Sequence, residues 1–142
     1  MNSAHISDAV RAHIRASAGH RCGYCLSAQR YVVMGVLEIE HLIPRSLGGS
    51  DEESNLWLSC GLCNRFKGQQ IEAVDPPEIS ARLFNPRADL WHEHFQWQAG
   101  GVMIQGITAT GRATVVALKL NNEIALTVRH NWVDAGWHPP SN

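Results

Sequence analysis

The chain has 142 residues, of which 44% are hydrophobic and 18% are charged, as is ordinary for a soluble globular protein. Its net charge of −1 excludes the broad basic surface that most non-specific nucleic-acid binders carry. No stretch has the apolar length of a signal-peptide core or a bilayer span, so we expect a cytoplasmic protein with no membrane partner.

The N-terminal segment has the pattern of an amphipathic helix. Ile6, Val10 and Ile14 recur at intervals of four and would form one apolar stripe. Ser7 is a residue type that caps helix N-termini, and Gly19 is a common helix stop. The sequence therefore predicts a helix of about three turns between these two residues.

The following segment alternates short apolar runs with turns. Tyr31–Met34 and Val36–Glu40 are rich in β-branched residues on either side of a glycine, which predicts a β-hairpin or two short strands. Pro44–Asn55 is a loop by composition. Leu56–Leu58 is a short apolar anchor, and Gly61–Lys67 is predicted to begin a helix that ends at the next glycine.

The clearest break in the chain is Asp75-Pro76-Pro77. We place a boundary there, between an N-terminal domain of residues 1–74 and a C-terminal extension of residues 75–142 that packs on it. No internal repeat or low-complexity tract divides the chain further.

The extension is expected to contain a hairpin followed by helices. Phe95–Trp97 and Val102–Ile107 flank a Gly-Gly pair and predict the hairpin. The candidate helix N-caps are Thr108 or Thr110 for one helix and Asn121 or Asn122 for another.

All four cysteines lie in two Cys-x-x-Cys pairs, formed by Cys22, Cys25, Cys60 and Cys63. Each pair places two thiolates on one turn, and zinc takes four sulfurs in a tetrahedral arrangement. In a reducing compartment, closely paired cysteines favour metal over disulfides. We predict a structural Zn²⁺ site. Free thiols and a thioredoxin-like redox pair are the weaker alternatives, because neither needs two pairs.

A second motif lies between and beyond these pairs. Glu40-His41 is followed by Asn55, and Asn64-x-x-Lys67 comes directly after the last cysteine. This series strongly resembles the HNH endonucleases, the zinc-stapled branch of the ββα-metal (His-Me finger) nucleases. The tail, notably Leu83–Arg87, resembles that of small stand-alone bacterial members more loosely.

The resemblance implies a role for each motif residue. His41 would be the general base, since imidazole changes protonation near neutral pH. Asn55 would brace the backbone and hold the histidine. Glu40 and Asn64 would be the protein ligands of a catalytic Mg²⁺ or Mn²⁺, with water and phosphate oxygens completing the shell. Two positions depart from the commonest pattern: Glu40 replaces the more usual Asp, and Asn64 replaces the final His to give an HNN variant.

Several basic residues and histidines have two interpretations. Arg45, Arg65 and Lys67 would contact phosphate, or would be ordinary solvated residues. His92 and His94 would share a face if they lie on a strand, and a second metal site there is the weaker interpretation.

The predicted fold class is therefore α+β, with a ββα-metal core, a four-cysteine zinc site, and a C-terminal hairpin with helices. The predicted function is metal-dependent endonucleolytic cleavage of DNA, with RNA left open as a second substrate and the oligomeric state left open between monomer and homodimer. The alternatives are a zinc-dependent nucleic-acid-binding module without turnover and a zinc scaffold for protein partners.

Overall fold

The computed structural model describes residues 6–32, 35–75 and 79–141. Within these residues the helices and strands, in chain order, are α1 (Asp8–Ser17), β1 (Glu38–His41), β2 (Leu56–Ser59), α2 (Gly61–Lys67), β3 (Glu72–Asp75), β4 (Ile79–Arg82), α3 (Trp91–His94), β5 (Phe95–Gln98), β6 (Met103–Gly106), α4 (Ala109–Ala117) and α5 (Glu123–Asp134). The chain divides into two compact units. The first runs to Ile71 and includes Asn85–Ala88, and the second comprises Glu72–Phe84 and the chain from Asp89 onward.

The first unit begins with the predicted helix. Ser7 caps α1, and its side chain accepts a hydrogen bond from the backbone N–H of Val10 at 3.2 Å. The apolar stripe of α1 faces a small core. The buried members of this core are Ile6, Ile14, Leu37, Leu56 and Leu58.

Strands β1 and β2 form an antiparallel pair, with Glu38 opposite Ser59 and His41 opposite Leu56. The backbone N–H of Leu42 donates to the Asn55 carbonyl at 2.8 Å and extends the pairing by one step. The predicted loop therefore connects two paired strands, and His41 lies at the point where β1 enters that loop.

Of the two strands predicted in Tyr31–Met34 and Val36–Glu40, the second is present as β1, and the described residues of the first form no strand. Gln29–Tyr31 is a turn of 3-10 helix, and Val33 and Met34 lie outside the described residues. The partner of β1 is instead the segment that we interpreted only as an apolar anchor. Alternate residues of that segment are buried in the core, which fixes its register against β1.

Helix α2 follows β2 directly and agrees with the prediction. Cys60 is its N-cap, and its Sγ accepts from the backbone N–H of Cys63 at 3.4 Å. Gly68 ends the helix, with its N–H bonded to the carbonyl of Asn64 at 3.0 Å. The first unit thus presents two antiparallel strands and then a helix, in that order.

The second unit contains two hairpins and three helices among its described residues. The β5–β6 hairpin was predicted, and so were the caps, since Thr108 begins α4 and Asn122 begins α5. The β3–β4 hairpin was not predicted. Residues 76–78 lie outside the description, and the domain boundary placed there stays a prediction.

His92 and His94 belong to the short helix α3, so they do not share the face that a strand would have given them. The ring of His94 lies near Thr108, with its Nδ1 2.7 Å from Oγ1. Within the described ranges, no metal-ligand cluster includes either histidine. The pair therefore gives no support to a second metal site.

None of the helices in the described part of the chain combines the length and the apolar character that a membrane span requires.

Leu58→Ala should destabilise the first unit by about 2–5 kcal/mol, because Leu58 is fully buried in its core and truncation leaves a cavity. Urea unfolding followed by circular dichroism, with zinc present, measures this loss. Val36→Ala is the control, because Val36 is 67% exposed and should change the free energy of unfolding by less than about 0.5 kcal/mol. Equal losses in the two variants would contradict this placement of the core.

Candidate metal centre and active site

The four cysteines converge on one point. Cys22 and Cys25 come from the turn after α1, and Cys60 and Cys63 come from the start of α2. All four Sγ atoms lie within 4.8 Å of one another, and those of Cys25 and Cys60 are 3.8 Å apart. Zinc–sulfur bonds of about 2.3 Å in a tetrahedron separate the sulfurs by about 3.8 Å. The predicted ligand set therefore fits a closed zinc site.

The burial and crowding of the four sulfurs shift the pKa values of their thiols in both directions. Burial raises the pKa of the Cys22 thiol well above its ordinary value, and the neighbouring Cys22 sulfur raises that of Cys63. Hydrogen bonding from Cys22 lowers the pKa of Cys25. Four crowded sulfurs cannot all be thiolates without compensation, and a dication supplies that compensation when it displaces their protons.

The turn that carries Cys22 and Cys25, here called the first knuckle, needs a glycine because its backbone packs closely against neighbouring side chains. A Cβ on Gly23 would lie 2.6 Å from the Cβ of Pro86 and would also meet the ring of Trp57. The backbone N–H of Gly23 donates to the Leu58 carbonyl at 2.9 Å, which fastens the knuckle to β2. The role of this glycine is thus to allow close approach rather than an unusual backbone angle.

Asn55 braces the loop between β1 and β2. Its Oδ1 accepts from the backbone N–H of Ile43 at 2.9 Å, and its Nδ2 donates to the carbonyls of Ile43 at 3.0 Å and Ser50 at 2.9 Å. A Cβ on Gly49 would overlap the same Ile43 carbonyl, so only glycine fits there. This geometry agrees with the backbone-bracing role expected of Asn55.

The ring of His41 is held by a residue that the sequence analysis missed. Its Nε2 lies 2.7 Å from Oδ1 of Asp51, and the His41 side chain is 19% exposed. Asp51 also accepts from Nε of Arg45 at 2.9 Å. These two hydrogen bonds lower the pKa of Asp51 below its ordinary value. The signal in the sequence was an acidic residue in the loop that follows the histidine.

Several predicted site residues line one open pocket of about 260 Å³ in the first unit. His41, Asn64 and Glu40 contribute to its wall, together with the exposed Arg45. The imidazole therefore does not point into an apolar interior, and it shares a solvent-accessible space with the amide of Asn64.

Glu40, the predicted carboxylate ligand, is buried and contacts protein groups. The residue is only 2% exposed. One carboxylate oxygen lies 3.1 Å from Nζ of Lys67, and the other accepts a hydrogen bond from the hydroxyl of Tyr24. Burial raises the pKa of Glu40, and the charge of Lys67 opposes that effect. Both oxygens are thus occupied by protein groups.

Lys67 points inward, in contrast to both of its interpretations from the sequence, a phosphate contact and a solvated residue. It is 2% exposed, and its ammonium also donates to the carbonyls of His41 and Leu42, each at 3.2 Å. Arg45 and Arg65 are exposed, so of the three basic residues named from the sequence only these two can reach a phosphate.

Asn64 contacts a different glutamate. Its Nδ2 donates to Oε1 of Glu38 at 2.8 Å, and Glu38 is exposed. The described residues therefore show two side-chain pairs between β1 and α2, namely Glu38 with Asn64 and Glu40 with Lys67.

Cys22→Ser and Cys60→Ser should each lose zinc and cooperative thermal unfolding, because binding at a four-thiolate site is coupled to folding. Metal analysis and calorimetry measure the two losses. Ser27→Ala is the control, since Ser27 Oγ lies 3.0 Å from Cys25 Sγ without being a predicted ligand, and it should retain zinc. A cysteine variant that stays folded and metal-free would contradict the site.

Comparison with protein families gives a match that coincides with this site. Residues 22–70 match the model of the HNH endonuclease family, which covers about a third of the chain. No curated protein and no solved structure matches significantly. The matched segment contains the four cysteines and every motif residue from Glu40 to Lys67. The resemblance stated from the sequence is confirmed by this match, which spans residues 22–70.

Proposed function

We propose that this protein is a metal-dependent endonuclease that hydrolyses phosphodiester bonds of DNA at the pocket lined by His41 and Asn64. The observation that supports this most directly is the pairing of His41 with Asp51 beside that pocket, inside the segment that matches the HNH family. In this proposal β1, β2 and α2 are the ββα-metal core, because they follow one another in that order and supply these side chains.

The contact with Asp51 suggests which nitrogen of His41 is the base. A carboxylate accepts a proton but cannot donate one when ionised, so it favours the tautomer with the proton on Nε2. The lone pair is then on Nδ1, and this atom takes the proton from the attacking water. Arg45 holds the same carboxylate and keeps it ionised.

A divalent cation fits the chemistry of this pocket. The side-chain oxygen of Asn64 is the type of hard ligand that Mg²⁺ and Mn²⁺ prefer. The carboxylate of Glu38, which contacts the amide of Asn64, is a second ligand of this type. When bound, the cation supplies positive charge to the phosphate and to the departing 3′ oxygen. Zn²⁺ at the four cysteines has a structural role in this proposal.

Arg45 and Arg65 are the candidates for phosphate contact because both are exposed near the pocket-forming elements. With a net charge of −1 on the chain, binding would depend on these local charges and on the cation, and it should weaken with salt. The proposed site of action is the cytoplasm.

His41→Ala should reduce plasmid nicking in Mg²⁺ or Mn²⁺ by at least about 100-fold, because the variant lacks the proposed general base. Gel assays of supercoiled, single-stranded and RNA substrates measure cleavage, and end-labelling should detect 5′-phosphate products. The control is His130→Ala, which alters an exposed histidine of α5. A His41→Ala variant that cuts as fast as the parent would refute the base. A parent that retains DNA without cutting it would favour the binding-module alternative.

Asp51→Ala should lower the cleavage rate by about 10-fold or more, since the ring of His41 then loses its orienting partner. Zinc content and melting temperature should match those of the parent, because Asp51 lies in a surface loop. Glu52→Gln alters the exposed neighbouring acid and serves as the control. If both variants keep full activity, Asp51 does not orient the base.

A further inference from the structure

We infer that Glu38, and not Glu40, supplies the carboxylate of the catalytic cation site together with Asn64, while Glu40 is an internal partner of Lys67 that positions His41. This inference rests on the proposed nuclease function and assigns the residues of its site. The motif alone favours Glu40 because it precedes the histidine, but the contacts of the two glutamates in the structure are opposite in kind.

Glu40 belongs to a closed hydrogen-bonded network. The side chains of Glu40 and Lys67 are 1% and 3% exposed. The ammonium of Lys67 has three N–H donors, and three acceptors surround it. They are Glu40 Oε1 at 3.1 Å and the carbonyls of His41 and Leu42, each at 3.2 Å. The hydroxyl of Tyr24, which is fully buried, donates a hydrogen bond to the other carboxylate oxygen of Glu40.

This network opposes a dication at Glu40. The cation would have to displace the Lys67 ammonium from the carboxylate, and the displaced charge would remain buried without its counter-ion. A dication beside an ammonium that stays in place would be repelled at short range. The hydroxyl of Tyr24 would also lose its acceptor.

Glu38 has the opposite properties. It is exposed, and its Oε1 lies 2.8 Å from Nδ2 of Asn64. The oxygen and nitrogen of an Asn amide exchange places when the amide turns over. Adjacent ligands of an octahedral Mg²⁺ with bonds of 2.0–2.1 Å are about 2.9 Å apart, so the separation of these two side-chain atoms already suits two neighbouring ligands.

The backbone explains why both glutamates meet α2. Residues two apart on β1 point to the same face, and residues three apart on α2 lie on one side of the helix. Glu38 therefore meets Asn64, and Glu40 meets Lys67. Asn64 also lines the pocket to which His41 and Glu40 contribute, so Asn64 is the residue that connects the Glu38–Asn64 pair with the proposed base.

The Glu40–Lys67 pair acts on catalysis through the backbone next to His41. Lys67 fixes the carbonyls of His41 and Leu42, where β1 enters the loop, and Tyr24 connects Glu40 to the turn between Cys22 and Cys25. Glu40, Lys67 and Tyr24 are thus positioning residues, and they couple the zinc cluster to the orientation of His41.

Glu38→Gln and Glu40→Gln form a matched pair, since each removes one charge from the same face of the same strand. Mn²⁺ binding to the zinc-loaded full chain, measured by electron paramagnetic resonance of free Mn²⁺, separates ligand from positioning roles without an activity assay. Glu38→Gln should weaken Mn²⁺ affinity by about 10-fold or more, with little change in melting temperature. Glu40→Gln should lower the melting temperature and leave Mn²⁺ affinity within about threefold of the parent value.

The reverse pattern, with Mn²⁺ lost in Glu40→Gln and retained in Glu38→Gln, would overturn the assignment. If Glu40→Gln does not fold, the double variant Glu40→Gln with Lys67→Met removes both buried charges. Retained Mn²⁺ binding in that variant supports the inference, and loss of binding with the fold intact overturns it. A parent that nicks DNA but shows the reverse pattern refutes this inference alone. A parent that neither binds Mn²⁺ nor nicks DNA refutes the proposed function as well.

Discussion

The convergence of four cysteine sulfurs is the constraint on which the first unit depends. The apolar core of this unit is small, and its two paired strands have four residues each. Such a unit has limited hydrophobic stabilisation of its own, and small domains of this kind commonly rely on a metal. The sulfurs join the turn after α1 to the beginning of α2, which are far apart in sequence. A cation at this point therefore closes the unit around its core.

The same constraint also sets the geometry of the candidate active site. Cys60 is both a member of the cysteine cluster and the N-cap of α2, so the cluster fixes the start of this helix and the direction of its side chains towards β1. Tyr24 lies within the first knuckle and reaches the carboxylate of Glu40. The loop after β1 is then fixed from two sides, by Lys67 at its start and by Asn55 across it. The cysteine cluster and the geometry of the candidate active site are thus connected by a few hydrogen bonds.

Local sequence signals predicted the elements that depend on local physics. Helix caps such as Ser7 and Thr108, the stop at Gly68 and the β5–β6 hairpin involve residues close in sequence. The pairing of β1 with β2 was missed because it joins segments separated by a long loop. The composition of Tyr31–Met34 also suits a strand, so the sequence offered β1 a partner closer along the chain. The Asp51 contact was missed for a similar reason, since any acid in that loop could have met His41.

The two glutamates show most clearly where a motif is insufficient. Their alternation on a strand places both on one face, and sequence spacing cannot tell which of them meets an amide and which meets an ammonium. That difference depends on the rotation of α2, which determines that Lys67 and not Asn64 is buried beside Glu40. A buried carboxylate next to a buried ammonium satisfies the charge of both groups within the protein. An exposed carboxylate next to an amide leaves its charge available to a cation. Burial, rather than position in the motif, therefore separates the structural glutamate from the candidate ligand.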